Sequence, residues 1–140
     1  MLAKAKWVAG LATLGLVGAS SSAALGVGFV YVKVSVPAKP VPSDRGFPLD
    51  VKGHSSKPAE LSMFVSTHPC KANAEAEAVL LKEKKATRPV HHKVHGDFNQ
   101  PLKYSVNHKG KHYACAYLYE VPKTALARDA ASWHVTGPGG

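Results

Sequence analysis

Three histidines crowd the stretch "PVHHKVHG", residues 89–96. Neutral imidazole is a good ligand for Zn²⁺ and Cu²⁺. On an extended chain His91 and His95 point the same way, whereas on a helix His92 and His95 are neighbours. A zinc or copper site built from His91, His92 and His95 is therefore one expectation for this segment. No HExxH accompanies it, and the nearest acid, Asp97, is not at metal-ligand spacing. The plain alternative is an exposed basic loop. Such a loop would gain charge in an acidic envelope environment and hold anions more tightly there.

The histidines lie in the most basic part of the chain. The whole sequence carries a net charge of +9. Residues 82–112 hold Lys82, Lys84, Lys85, Arg88, Lys93, Lys103, Lys109 and Lys111 against only Glu83 and Asp97, a net of +6. A face built from Lys82, Lys84, Lys85, Arg88, Lys93, Lys109 and Lys111 could meet an anionic cell-envelope polymer, a membrane surface or another exported protein. It would also serve simply as a solvated face. Nucleic acid is the least expected partner, because no arginine-rich run and no recognition motif is present.

Catalytic patterns are missing. The chain has no GxSxG, no P-loop and no dinucleotide fingerprint. Its nine acids form no evident pair. Cys115 beside a histidine would be a conceivable nucleophile, but it sits in the middle of a strand-like segment. Tyr117, Tyr119 and Trp133 could form a binding platform, although aromatic residues on strands usually belong to a core. The sequence thus points away from an enzyme, and it requires no cofactor apart from the zinc or copper alternative.

The N-terminus points to export. Lys4 and Lys6 precede a stretch without charge from Trp7 to Val32. Positive charge followed by an apolar run directs a chain across a membrane. One expectation is a signal peptide over residues 1–24, forming an apolar helix and ending in the small residues Gly18–Ala24. The other is an uncleaved anchor over residues 7–32, since about 20 apolar residues span a bilayer. Both place the domain outside the cytoplasm, secreted or on the outer face of the membrane. Disulfides persist there. Cys70 and Cys115 are the only cysteines, so they can pair only with each other, and a Cys70–Cys115 bridge is expected.

Removing the leader leaves about 115 residues, enough for one domain over 25–137. Val30, Val32, Val34 and Val36 alternate with Phe29, Tyr31, Lys33 and Ser35, a strand pattern. Residues 47–53, 59–67 and 102–107 read as further strands. Residues 87–101 read as loop or edge. The segment from Tyr113 to Val121 alternates with apolar residues on both faces, which predicts a central strand. Residues 131–137 read as the last strand, and 138–140 as a disordered tail. Between them, "KANAEAEAVLLKEKKA" (71–86) is rich in strong helix formers. Asn73 can cap it, Glu75 and Glu77 suit the positive end of its dipole, and Ala72, Ala76, Val79 and Leu80 form its apolar stripe. Short strands, Pro- and Gly-rich turns and one inserted helix predict a mainly β fold, a two-sheet sandwich.

"YAC", with Tyr113 two residues before Cys115, is similar to the tyrosine-corner strand of immunoglobulin-like sandwiches. The order of export signal, "VSVPAKPVPSDRGFPLDVKG", Cys70 and "GKHYACAYLY" resembles exported bacterial immunoglobulin-like domains of uncharacterised function. The resemblance covers about residues 27–137. It implies adhesion, scaffolding or ligand display with no catalytic site. The chain departs from antibody-type domains in placing Trp133 on the last strand and Cys70 beside a helix. The combined expectation is a non-catalytic exported module that binds or supports at the cell envelope. Its rivals are a histidine-rich metal-binding protein and a membrane-anchored domain that binds anionic envelope components.

Overall fold

Alternating apolar residues build six strands in the computed structural model, which describes residues 29–121 and 124–137. They are β1 (Val30–Ser35), β2 (Val41–Pro42), β3 (Phe47–Ser66), β4 (Ala86–Tyr104), β5 (Gly110–Glu120) and β6 (Thr124–Thr136). A single helix, α1 (Ala74–Lys82), sits between β3 and β4. The expected leader over 1–24 and tail over 138–140 lie outside the described residues. So does the alternative anchor up to residue 28, while its last residues, Val30–Val32, are strand in β1. Among the described residues no helix is long and apolar enough to cross a membrane.

Two features depart from the sequence reading of the strands. Residues 47–53 and 59–67 belong to one strand of 20 residues. Residues 87–101, expected as loop or edge, lie within a strand of 19 residues that pairs antiparallel with β3 along its whole length. Polar residues fill much of β4, but Val90 and Val94 enter the core, and β3 supplies its ladder. The helix is shorter than 71–86. Asn73, extended at φ −148°, caps it by accepting from Ala76 N at 2.8 Å. At the other end Lys84 takes a left-handed φ of 60° and turns the chain into β4.

The β3–β4 ribbon folds in two. A straight strand of 20 residues would reach roughly 60 Å. Yet the Phe47 ring lies 5.3 Å from Trp133. Trp133 pairs with His112, the neighbour of the Tyr113 that pairs with Ser66. The two ends of β3 therefore lie over each other. The ends of β4 do the same, since the Thr87 hydroxyl bonds to the Tyr104 hydroxyl. The fold line runs through the register shift between Ser55 and Ala59 on β3 and through Gly96 on β4, which pairs with Ser55 and has φ +80°. Bulges and glycine are how a strand passes from one layer to another.

In place of two separate sheets, one continuous six-stranded sheet faces itself across a single core. Its order is β1–β3–β5–β6–β2, with β4 on the other side of β3. β1 pairs with the first half of β3 and β5 with the second half. Val32, Val34, Leu49 and Val51 from one layer meet Leu61, Met63, Ala116 and Leu118 from the other. The sheet does not close. At the seam between β1 and β6, Val34 N donates instead to the Asp129 carboxylate at 2.8 Å. On the far side β4 is an edge, bearing Pro89 and Lys93, residue types that discourage further strand addition.

Gly53, paired with Val32 of β1, has no room for a side chain. A β-carbon there would lie 2.1 Å from the Tyr31 backbone oxygen and 2.8 Å from the Phe98 ring. Gly53→Ala is expected to lower unfolding free energy by about 2–3 kcal/mol. At Gly96 space is open and only the positive φ resists a side chain, so Gly96→Ala should cost about 1 kcal/mol. Urea melts of the two variants check the order.

His112 is buried against Trp133, their rings 5.8 Å apart. Burial lowers its pKa, with the nearby His108 acting the same way and the Gly110 carbonyl opposing them. The unfolded imidazole then takes up a proton more readily than the folded one. Its contribution to stability is full above about pH 6.5 and falls as pH drops below that. The urea midpoint should decrease from pH 7 to pH 5, and His112→Gln should remove part of that decrease.

Candidate functional site

The outer face of β3 and β5 carries a second, smaller core. Phe64, Cys115 and Tyr117 point away from the main core, and Cys70, Ala74, Ala78 and Leu81 pack over them. This is why β5 is apolar on both faces. The helix is docked here by a disulfide between Cys70 and Cys115, with an S–S distance of 1.98 Å and a sequence separation of 45. The face of α1 turned inward agrees with the sequence expectation at Leu80, which is buried, and departs from it at two positions. Val79 is 51% exposed, whereas Glu77 is wholly buried.

A buried carboxylate needs donors. Glu77 Oε1 accepts from Lys71 N at 2.9 Å, and the Tyr117 hydroxyl lies 3.1 Å from the same oxygen. Tyr117 also donates to the Lys71 carbonyl at 2.7 Å. Glu77 Oε2 is buried without a hydrogen-bond partner. Burial, and then the adjoining Glu77 carboxylate, push the Tyr117 pKa above the usual phenol range. This hydroxyl is therefore a fixed hydrogen-bond donor at any physiological pH, and its role here is to hold the chain at Lys71.

Because α1 covers only part of the outer face, a groove of about 410 Å³ remains between its first turns and β5–β6. Ala72, Ala74, Ala78, Ala125 and Ala127 form smooth walls, and Tyr117 and Tyr119 contribute to the floor. Arg88 enters from the β4 side and Arg128 from the β6 side. The Arg88 guanidinium lies 4.8 Å from the centre of the Phe64 ring. A register shift in the β3–β4 ladder between Met63 and Val65 sits beside it. Arg128 donates to the Lys71 carbonyl at 3.4 Å. Asn73 and Glu75 complete the polar lining at the helix N-terminus.

Tyr119 connects the groove to a cluster of polar side chains further along the sheet. Its hydroxyl lies 3.2 Å from Ser62 Oγ and donates to Glu60 Oε1 at 3.4 Å. Ser62 Oγ is 2.8 Å from His91 Nδ1, and His91 Nε2 is 3.4 Å from Glu60 Oε1. Serine, histidine and glutamate in sequence invite comparison with a hydrolytic triad. Ser62, however, is fully buried. Its hydroxyl orients His91 and Tyr119 and does not reach a solvent-borne substrate.

Alternation along β4 places His91 and His95 on one side of the strand and His92 on the other. The three imidazoles therefore do not converge. His91 is engaged with Ser62 and Glu60, and His92 and His95 are exposed. Among the described residues no group of three or more His, Cys, Asp or Glu side chains is placed to hold a metal ion.

Of the seven basic residues, Lys82, Lys84, Lys85, Arg88, Lys109 and Lys111 lie near one end of the sheet, where Ser66 pairs with both Ala86 and Tyr113. Lys93 sits further along β4, opposite Glu60. Lys85 pairs with Glu83 at 3.3 Å, and Lys111 lies 5.4 Å from the centre of the Tyr113 ring. Only Arg88 of these lines the groove. Its counterpart Arg128 lies on the part of β6 that precedes the expected last strand, 131–137. The alternation of "TALARDAASW" continues back to Thr124 and was the available signal.

The sequence matches no protein-family model and no curated protein. A crystal structure of a β-glucosidase from Listeria innocua in complex with glucose is similar over 80% of this chain, at 10% identity and a TM-score of 0.47. This chain spans 16% of that enzyme's length.

The bridge closes a loop of 45 residues. In the chain-entropy model its removal costs about 3–4 kcal/mol. A Cys70→Ala/Cys115→Ala variant should show a loss of that size in urea unfolding. It should also show faster amide exchange in α1 than in the β3–β4 ladder.

Proposed function

We propose that this chain is a non-catalytic, exported binding module, and that the groove under α1 is its ligand site. The observation that carries this reading is the pair Arg88 and Arg128, set on opposite sides of a tyrosine and alanine floor. Guanidinium groups make strong, forked hydrogen bonds to carboxylate and phosphate. The net charge of +9 favours encounter with anionic partners. Buried Ser62 and the structural role of the Tyr117 hydroxyl support binding over catalysis.

The site belongs at the cell envelope or outside the cell. The charged-then-apolar N-terminus supports that placement, and a disulfide is compatible with it. The fold that goes with this reading is an immunoglobulin-like sandwich. Two facing layers, Cys115 on a central strand and Tyr113 two residues before it are its support.

Titration calorimetry of the mature, disulfide-bonded protein with polygalacturonate, polyphosphate and phosphatidylglycerol vesicles tests the site. At least one of these anions should bind. Arg88→Ala and Arg128→Ala should each weaken that binding about tenfold or more, the value of a charge-assisted hydrogen bond. Lys109→Ala, outside the groove, should change it little. Equal loss in all three variants would reduce the groove to part of a diffuse basic surface.

A further inference from the structure

Among the described residues, four large hydrophobic side chains are exposed: Phe29, Tyr31, Val79 and Val121. Val79 lies on α1. The other three gather at one end of the molecule, the bend of the β3–β4 ribbon. Tyr31 pairs with His54, and Val30 pairs with Ser55, where the β3–β4 ladder shifts register. The Phe29 ring stacks on His54 at 4.5 Å and lies 6.2 Å from the Tyr31 ring. Its carbonyl accepts from Ser56 N at 3.2 Å. Val121 follows Glu120, whose carboxylate lies 3.8 Å from Lys57 in the same bend. Asp97, also at the bend, is matched by His54 at 2.6 Å. Two residues further along β1, on the same outer face, Lys33 pairs with Lys52, and both are exposed.

The chain enters the structure at this same end. Residues 7–28, 22 in all, carry no charge, and about 20 apolar residues span a bilayer. Only Phe29 stands between that run and Val30, which is already in the ladder. A run held in a bilayer would bring the bend against the membrane surface, with no slack chain to turn the domain over. The basic end is far away. Seven residue steps of about 3.4 Å separate Ala59 from Ser66, so the end bearing Lys82, Lys84, Lys85, Lys109 and Lys111 stands roughly 24 Å from the bend. Exposed aromatic side chains beside a membrane sit at the headgroup level. Lysines next to them lay their stems on apolar surface and reach anionic headgroups.

We infer that the bend of the sheet is a membrane-seating surface. Residues 7–28 stay in the bilayer, Phe29, Tyr31 and Val121 rest in its interfacial layer, and Lys33 and Lys52 meet the phospholipid headgroups. The occupant of this surface is the lipid itself, and the basic end points away from it. The inference rests on the bend and the N-terminal run, and it is independent of the groove as an anion site.

The full-length, disulfide-bonded chain, reconstituted in nanodiscs of phosphatidylcholine and phosphatidylglycerol, provides the test. Amide NMR signals are compared with and without a headgroup-spin-labelled lipid. Phe29, Tyr31, His54, Lys57 and Glu120 should lose their signals to the label, while Lys84, Lys85, Lys109 and Lys111 keep theirs. A Phe29→Ser/Tyr31→Ser/Val121→Ser variant removes only exposed side chains and should leave the circular dichroism unchanged. It should weaken the loss at Lys57 and Glu120 several-fold, because a tether alone does not hold that end down. The intact mass of the protein in the membrane fraction of its own cells should include residues 7–28. Even signal loss over the whole surface, or loss concentrated at the basic end, overturns the inference. So does full loss at Lys57 and Glu120 in the variant, or a chain beginning near residue 25 found in the medium.

Discussion

The fold of the β3–β4 ribbon upon itself is the constraint on which the rest of the molecule depends. One hairpin supplies strands to both layers, so the core is closed by a bend in a single ladder. That bend needs a register shift on one strand and a left-handed glycine on the other, at paired positions. Once it is made, β1 and β5 share one edge of β3 at different heights. The outer face of the second half is then available for a helix.

Placing that helix required covalent and polar anchors, because α1 is too short to hold itself in water. The disulfide fixes the chain just before it. Glu77 and Tyr117 fix the same turn at Lys71 through the shared hydrogen bonds. Both anchors act on the N-terminal side of α1, the side that forms the groove wall. The geometry of the groove is therefore set by the same contacts that stabilise the secondary core.

Strand character was legible where alternation was clean, as in Val30–Val36 and Tyr113–Glu120. The Asn73 cap was legible because its side chain acts within three residues. The cysteine pairing was legible because only one partner existed. β4 was not, since polar side chains break up the alternation by which Val90, Val94, Phe98, Leu102 and Tyr104 reach the core. The corner was not legible either, because nothing local distinguishes a glycine in a loop from one that folds a ladder. Glu77 was misplaced for a related reason. On a helix surface a glutamate is ordinarily solvated, and only the register that brings Tyr117 beneath it makes burial tolerable. The meeting of Ser62 with His91, and of Arg88 with Arg128 across one floor, follows from strand pairing over long sequence separations.

The seam between β1 and β6 gives the molecule a direction of breathing. Elsewhere neighbouring strands are joined by backbone ladders. Here the Val34 amide is held by the carboxylate of Asp129. A single side-chain rotation can part the seam while every ladder stays intact. Water would then reach Val32 and Val34 first. The other end of the sheet opens only by unfolding the bent ribbon. The strand that would move, β6, also carries Ala125, Ala127 and Arg128 of the groove wall, so the seam and the groove share one strand.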